Sequence, residues 1–187
     1  MRARKVNIDA TILFADLRGY TGLSQSLSTD AMSGLLDAFY DECASAIWEQ
    51  DGLLNKTIGD AVMAVFNFPV SYGDHVQRAL QAARDIQERC RDRRARLKDT
   101  FGLTGTELGV GIHTGEVSFG EFGQSHRGVT AIGAVVNTAS RAQSVAEAGQ
   151  ILVTHAVYEK AQPQLAGILP RHYSLKGFAD PMELYAA

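Results

Sequence analysis

Residues 56–66 read KTIGDAVMAVF. Two short apolar runs flank Gly59-Asp60, a pair that predicts a two-residue hairpin turn. Such a turn pushes one carboxylate, Asp60, beyond the sheet edge, where it can find a partner. That partner is expected to be Asp16, at the end of a second strand-like run, residues 11–17, TILFADL. A glycine-bearing loop follows it. Two acids at strand ends, with a phosphate-friendly loop between strand and helix, suit a divalent cation carrying a nucleotide.

The chain has 187 residues, 45% apolar, 21% charged and 8% aromatic, which suits one domain with a sizeable core. Residues 1–187 are therefore expected to form one domain. The net charge of -3 gives no whole-molecule attraction to nucleic acid or to an anionic membrane. Apolar runs of only a few residues exclude a transmembrane helix, and MRARKVNIDA at the start has no apolar stretch behind it. Cys43 and Cys90 both fall in helical patterns and read as buried free thiols in a cytoplasmic setting. A sensor or regulatory module, if one exists, is expected to lie outside this chain.

After TILFADL comes RGYTGLSQSLS, in which Gly19 and Thr21 sit where strand turns into helix. Free backbone N–H groups there would face back toward Asp16 and suit a phosphate. The same segment, alone, equally describes an ordinary connection with a solvated aspartate. From Thr29 to Gln50, Leu35, Leu36, Phe39, Tyr40, Cys43 and Ile47 recur at helical spacing behind a Ser28 or Thr29 cap. Strands at 53–58 and 61–68 form the hairpin, and a second helix spans about 73–98. Its basic end, RCRDRRARLKD, reads as a solvated face beside a helix C-terminus.

Residues 108–122, LGVGIHTGEVSFGEF, predict a second hairpin turning at Thr114-Gly115. Its glycines would let a ligand or a neighbouring chain approach, and His113 is expected to be structural. His75, His126, His155 and His172 show no metal-ligand spacing. A short strand, 129–133, leads into a helix, 134–146, on which Asn137 and Arg141 share a face and Val136, Ala139 and Ala142 pack. The tail returns as strands at 151–154, 172–175 and 182–185, with Lys176 in a turn beside Gly177.

FADLRGYT, KTIGDAVMAVF, GVGIHTGEV, TAIGAVVNTASR and YSLKGFADPMELY, in that order, resemble the motifs of class III nucleotidyl cyclase catalytic domains, bacterial threonine-type subtype. The likeness runs from about residue 8 to the end. It implies an α/β (α+β) fold with a ferredoxin-like βαβ core, a mainly antiparallel mixed sheet and flanking helices. It also implies a homodimer whose active sites are composite. On the resemblance, Asp16 and Asp60 match the metal-binding aspartates, with the Leu17 carbonyl beside them. Lys56 matches the purine-selecting residue, where lysine goes with adenine, and Thr130 its companion. Asn137 matches the residue that orients the ribose, and Arg141 the one that stabilises the transition state. Lys176 matches the lysine on the terminal phosphates, and Gly19 and Thr21 lie in the phosphate loop.

The implied activity is adenylyl cyclase, converting ATP to 3′,5′-cyclic AMP and pyrophosphate with two Mg²⁺ or Mn²⁺ ions per active site. Departures from the family pattern are few: Ala134, Ala142 and Glu116. A guanylyl or mixed-specificity cyclase and a catalytically silent nucleotide-binding module are the competing expectations; a polymerase palm lacks support in composition.

Overall fold

The structure, a computed structural model, describes residues 5–101, 107–122 and 128–187; the side chains of 94–101 lie outside it. Strand β1 (Val6–Leu17) is the centre of an eight-stranded sheet. From Ala10 to Leu17 only Asp16 escapes full burial. Both faces of β1 are covered, so its sequence is an unbroken apolar run rather than an alternation.

Helix α1 (Tyr20–Ser26) and helix α2 (Thr29–Glu49) follow. The Ser28 hydroxyl accepts from the Ala31 amide at 3.2 Å, the cap expected at that helix start. Strands β2 (Leu53–Ile58) and β3 (Ala61–Phe66) form the predicted hairpin, with Gly59 at φ 60° in its two-residue loop. Helix α3 (His75–Phe101) then returns the chain to β4 (Leu108–Phe122). These strands lie in the order β2-β3-β1-β4, all antiparallel, which is the ferredoxin-like arrangement.

Strand β5 (Gly128–Ile132) pairs with the far end of β4, and helix α4 (Ala134–Val145) crosses back to β6 (Ile151–Thr154), parallel to β4. Helix α5 (His155–Lys160) and strands β7 (Arg171–Tyr173) and β8 (Met182–Ala186) complete the chain. Helices α2, α3 and α5 pack on one sheet face through Phe39, Ile47, Leu80, Ile86 and Val157. Helix α4 covers the other face through Val135 and Ala139. Among the described residues, no helix is long and apolar enough to cross a membrane.

The hairpin expected at Thr114-Gly115 does not form. β4 is one continuous strand, paired with β1 from Leu17↔Leu108 to Val6↔Phe119. A dozen consecutive pairs along the sheet centre outweigh one local turn signal, and Gly115, at φ 155°, provides only a kink. This chain's own Arg18 approaches Gly109, and its own α4 approaches Gly111 and Gly115. A methyl group on Gly111 would stand 2.5 Å from the Ala139 carbonyl oxygen. On α4, Val135 is buried more deeply than Val136, and the strand expected at 172–175 ends at Tyr173, with Leu175 turning into the core.

Cys43 is fully buried and Cys90 half-buried, both as free thiols. In the basic run, Arg89 pairs with Glu49 and Arg93 with Glu42 at 2.7 Å, tying α3 to α2. From residue 94 onward that run, like His126, falls outside the described side chains.

Candidate active site

The structure brings the two aspartates together. Asp16 ends β1 and Asp60 closes the β2–β3 turn, with Asp16 paired to Ala61 across the ladder. The Leu17 amide donates to the Asp60 carbonyl at 3.0 Å, locking the turn against the strand end. Tyr40 on α2 donates its hydroxyl to the Gly59 carbonyl and pins the turn from the other side. Burial pushes the Asp16 carboxyl up to about 6; the negative charge of Asp60 adds to the rise, while Arg18 and the Gln143 amide oppose it.

Two residues at this centre were invisible in the sequence. Gln143, buried on α4, donates its side-chain amide to Asp16 Oδ2 at 3.1 Å. Arg18 places Nη1 3.5 Å from the same oxygen and donates Nη2 to the Gln143 backbone carbonyl. Gly109, opposite Asp16 in the β1–β4 ladder, leaves room for that guanidinium: a methyl group there would sit 2.6 Å from Arg18 Cζ.

The donor set fits a hard cation. Two neighbouring carboxylates, one of them raised in pKa by burial and then by its neighbour's charge, are favoured by nearby positive charge. Among the described residues no third His, Cys, Asp or Glu joins them. Further ligands would therefore have to be backbone carbonyl, water or phosphate oxygens, which suits magnesium or manganese better than zinc.

Gly19 caps α1 in the left-handed region at φ 77°, and its carbonyl accepts from the Leu23 amide at 3.1 Å. Thr21, in the first turn of α1, is exposed. Lys56 follows a bulge in β2 and is exposed. The bulge falls at Asn55, whose side chain donates to the Val129 carbonyl at 3.0 Å and accepts from the Thr130 hydroxyl at 2.7 Å. Lys56 and Thr130, from separate strands, are thus joined through a residue that sequence reasoning passed over.

Asn137 and Arg141 lie on the outer side of α4, with Asn137 exposed and Arg141 partly so. Lys176 is exposed in the β7–β8 turn, and its neighbour Leu175 packs with Ala142 of α4. Gln143 and Arg141 are two residues apart, hence about 160° apart around the helix once wrapped to the shorter arc. Gln143 reaches Asp16, so Arg141 faces away from it. Within one chain the body of α4 stands between the aspartate pair and the Asn137–Arg141 face. An open cleft of about 560 Å³, bordered by His113, Thr154 and residues 178–183, contains none of the predicted site residues.

The sequence profile described as "Adenylate and Guanylate cyclase catalytic domain" matches residues 3–186. An adenylate cyclase of Anabaena cylindrica is 35% identical over 79% of this chain and 30% of its own length. An adenylate cyclase of Mycobacterium tuberculosis is 32% identical over 90% of this chain and 37% of its own. Guanylate cyclase 32E of Drosophila melanogaster is 31% identical over 81% of this chain and 13% of its own. The chain thus spans well under half the length of these relatives.

Among solved structures, the adenylyl cyclase CyaB from P. aeruginosa superimposes with a TM-score of 0.89 at 30% identity, covering 98% of this chain and 95% of that one. The guanylyl cyclase Cya2 gives 0.89 at 28% identity, covering 100% and 93%. With the sheet order, the paired aspartates and a match over nearly every residue in agreement, the chain belongs to the adenylate and guanylate cyclase catalytic domain family.

Proposed function

We propose that residues 1–187 act as one adenylyl cyclase catalytic domain, converting ATP to 3′,5′-cyclic AMP and pyrophosphate as a homodimer with two shared sites. The observation that carries this reading is the Asp16–Asp60 pair, two carboxylates brought together at a strand end and a turn, where a divalent cation would relieve their mutual repulsion. Mg²⁺ or Mn²⁺ held there by Asp16, Asp60 and the Leu17 carbonyl, two ions per site, would neutralise the triphosphate and make the ribose hydroxyl more acidic.

The remaining work falls to the protein's own groups. In cyclisation the 3′-oxygen bonds to the α-phosphorus, the bond to the bridging oxygen breaks, and pyrophosphate leaves with its electron pair while the hydroxyl proton departs. Asn137 orients the ribose, and Arg141 and Lys176 meet the charge that develops on the phosphates. Gly19 and Thr21 border the triphosphate. Lys56 donates to N1 of adenine, an acceptor that guanine lacks. The Thr130 hydroxyl donates to Asn55, which leaves its lone pairs to accept from the 6-amino group.

The opposed faces of α4 support the shared site, because Arg141 of a chain cannot turn onto that chain's own Asp16. One copy would supply Asp16 and Asp60, and the other Lys56, Thr130, Asn137, Arg141 and Lys176. Mixing an Asp60→Ala chain with an Arg141→Ala chain tests this. Each is expected to be inactive alone and their mixture active; a silent mixture counts against the shared site.

The base is tested by incubating the chain with ATP or GTP and Mn²⁺ and measuring cyclic product and pyrophosphate. Cyclic GMP as the main product would reassign Lys56. No turnover of either nucleotide would make the chain a silent nucleotide-binding module.

A further inference from the structure

Arg18 and Gln143 sit at the aspartate pair without a role in the scheme above. Both use the same oxygen of Asp16, Oδ2, at 3.5 and 3.1 Å. A carboxylate held through one oxygen keeps the other for a hard cation, and its angle is set by the groups that hold it. The two residues also hold each other, because Arg18 Nη2 donates to the Gln143 backbone carbonyl. Gln143 is 7% exposed, so this ring of contacts lies largely away from solvent.

The seat of Arg18 is built and costly. Its amide donates to the Glu107 carbonyl at 2.7 Å, and the bare Cα of Gly109 makes room for the guanidinium. Its Nε is buried without a hydrogen-bond partner among the described residues. An orphaned donor of this kind costs about 1–3 kcal/mol, and a surface-facing side chain would avoid it by turning outward. Stability alone does not account for the placement.

We propose that Arg18 and Gln143 are positioning residues that fix the metal-binding carboxylate of Asp16 for the ion it receives. The inference rests on the metal reading of Asp16 and Asp60 proposed above. Gln143 approaches from α4, whose outer face carries Asn137 and Arg141. In the shared-site dimer those groups serve the other active site. The clamp therefore belongs to the half-site that supplies Asp16, even though it is borne on the helix that supplies Arg141.

Gln143→Met keeps the volume and removes the donor; Arg18→Lys keeps the charge and removes the fork. The first measurement is Mn²⁺ binding to the full chain by electron paramagnetic resonance, with an ATP analogue lacking the 3′-hydroxyl. Gln143→Met is expected to weaken Mn²⁺ binding about 10- to 100-fold, the usual effect of losing a group behind a metal ligand. Arg18→Lys should lose less than Arg18→Met. Saturating Mn²⁺ should restore kcat in each, which a misfolded chain would not allow.

The second measurement places Gln143→Met in one partner of the mixed dimer at a time. In the Arg141→Ala chain, which supplies Asp16, it should raise the Mn²⁺ requirement by the same factor. In the Asp60→Ala chain it should leave that requirement unchanged. Unaltered Mn²⁺ binding in Gln143→Met and Arg18→Met overturns the proposal, as does an equal loss in both placements. If the parent mixture is itself inactive, the shared-site reading fails, and the resonance measurement still decides the clamp.

Discussion

Gly111 and Gln143 are in backbone contact: the Cα of Gly111 on β4 lies beneath the last turns of α4, and a methyl group on it would stand 2.6 Å from Gln143 Cα. Helix α4 can lie this close to the sheet only where a strand residue has no side chain. The consequence reaches chemistry, because the same helix carries Asn137, Arg141 and the amide that holds Asp16.

Gly111→Ala is therefore expected to destabilise the fold by about 3 kcal/mol, the upper end for overpacking a core, since the clash is with backbone rather than a side chain that can rotate. Cyclase activity should fall more than the loss of folded protein explains. Urea unfolding and activity per folded molecule check this.

Asp16→Asn should stabilise the protein in the absence of nucleotide and metal while abolishing activity. The Asp16 carboxyl is raised from 3.8 to about 6, so between those values the folded state binds more protons than the unfolded state. Its contribution to stability then falls as pH rises through that window. The gain from asparagine should be greatest above pH 6, about 1 kcal/mol after solvent screening, and should vanish near pH 4. Thermal melts across pH measure it.

His113 gives the opposite slope. Burial lowers its imidazole from 6.5 to about 4, and its Nδ1 is 2.7 Å from the Thr154 hydroxyl oxygen. The unfolded chain binds the extra proton in that interval, so stability is full above pH 6.5 and is lost as pH falls toward 4. His113→Asn should flatten that acid loss in a stability–pH profile. An unchanged acid limb would show that the imidazole is not the group responsible.

Asn55→Ala should relax base selection. It frees the Thr130 hydroxyl to turn and removes the bond from β2 to the Val129 carbonyl. The ratio of kcat/KM for ATP over GTP is expected to fall about tenfold, the equivalent of one well-placed hydrogen bond. An unchanged ratio would place base selection on Lys56 alone.

Local chemistry made much of this protein legible in its sequence. Gly59-Asp60 between two apolar runs specifies a hairpin, and the ladder from Leu53↔Val65 to Ile58↔Ala61 follows from it. The spacing of Leu35, Phe39 and Cys43 likewise specifies α2 from within. Asn137 and Arg141 share an outer face because a helix puts residues four apart on one side.

Tertiary structure alone decided the rest, because the deciding partners are far apart in the chain. Arg18 and Gln143 are 125 residues apart and Asn55 and Thr130 are 75 apart, so no local pattern joins them. Thr114-Gly115 reads as a turn by itself and becomes a strand because β1, lying alongside, offers a full ladder of hydrogen bonds. Residue order alone fixed which groups could ionise, donate or turn; only packing α4 against Gly111 determined which of them meet Asp16 and which face outward.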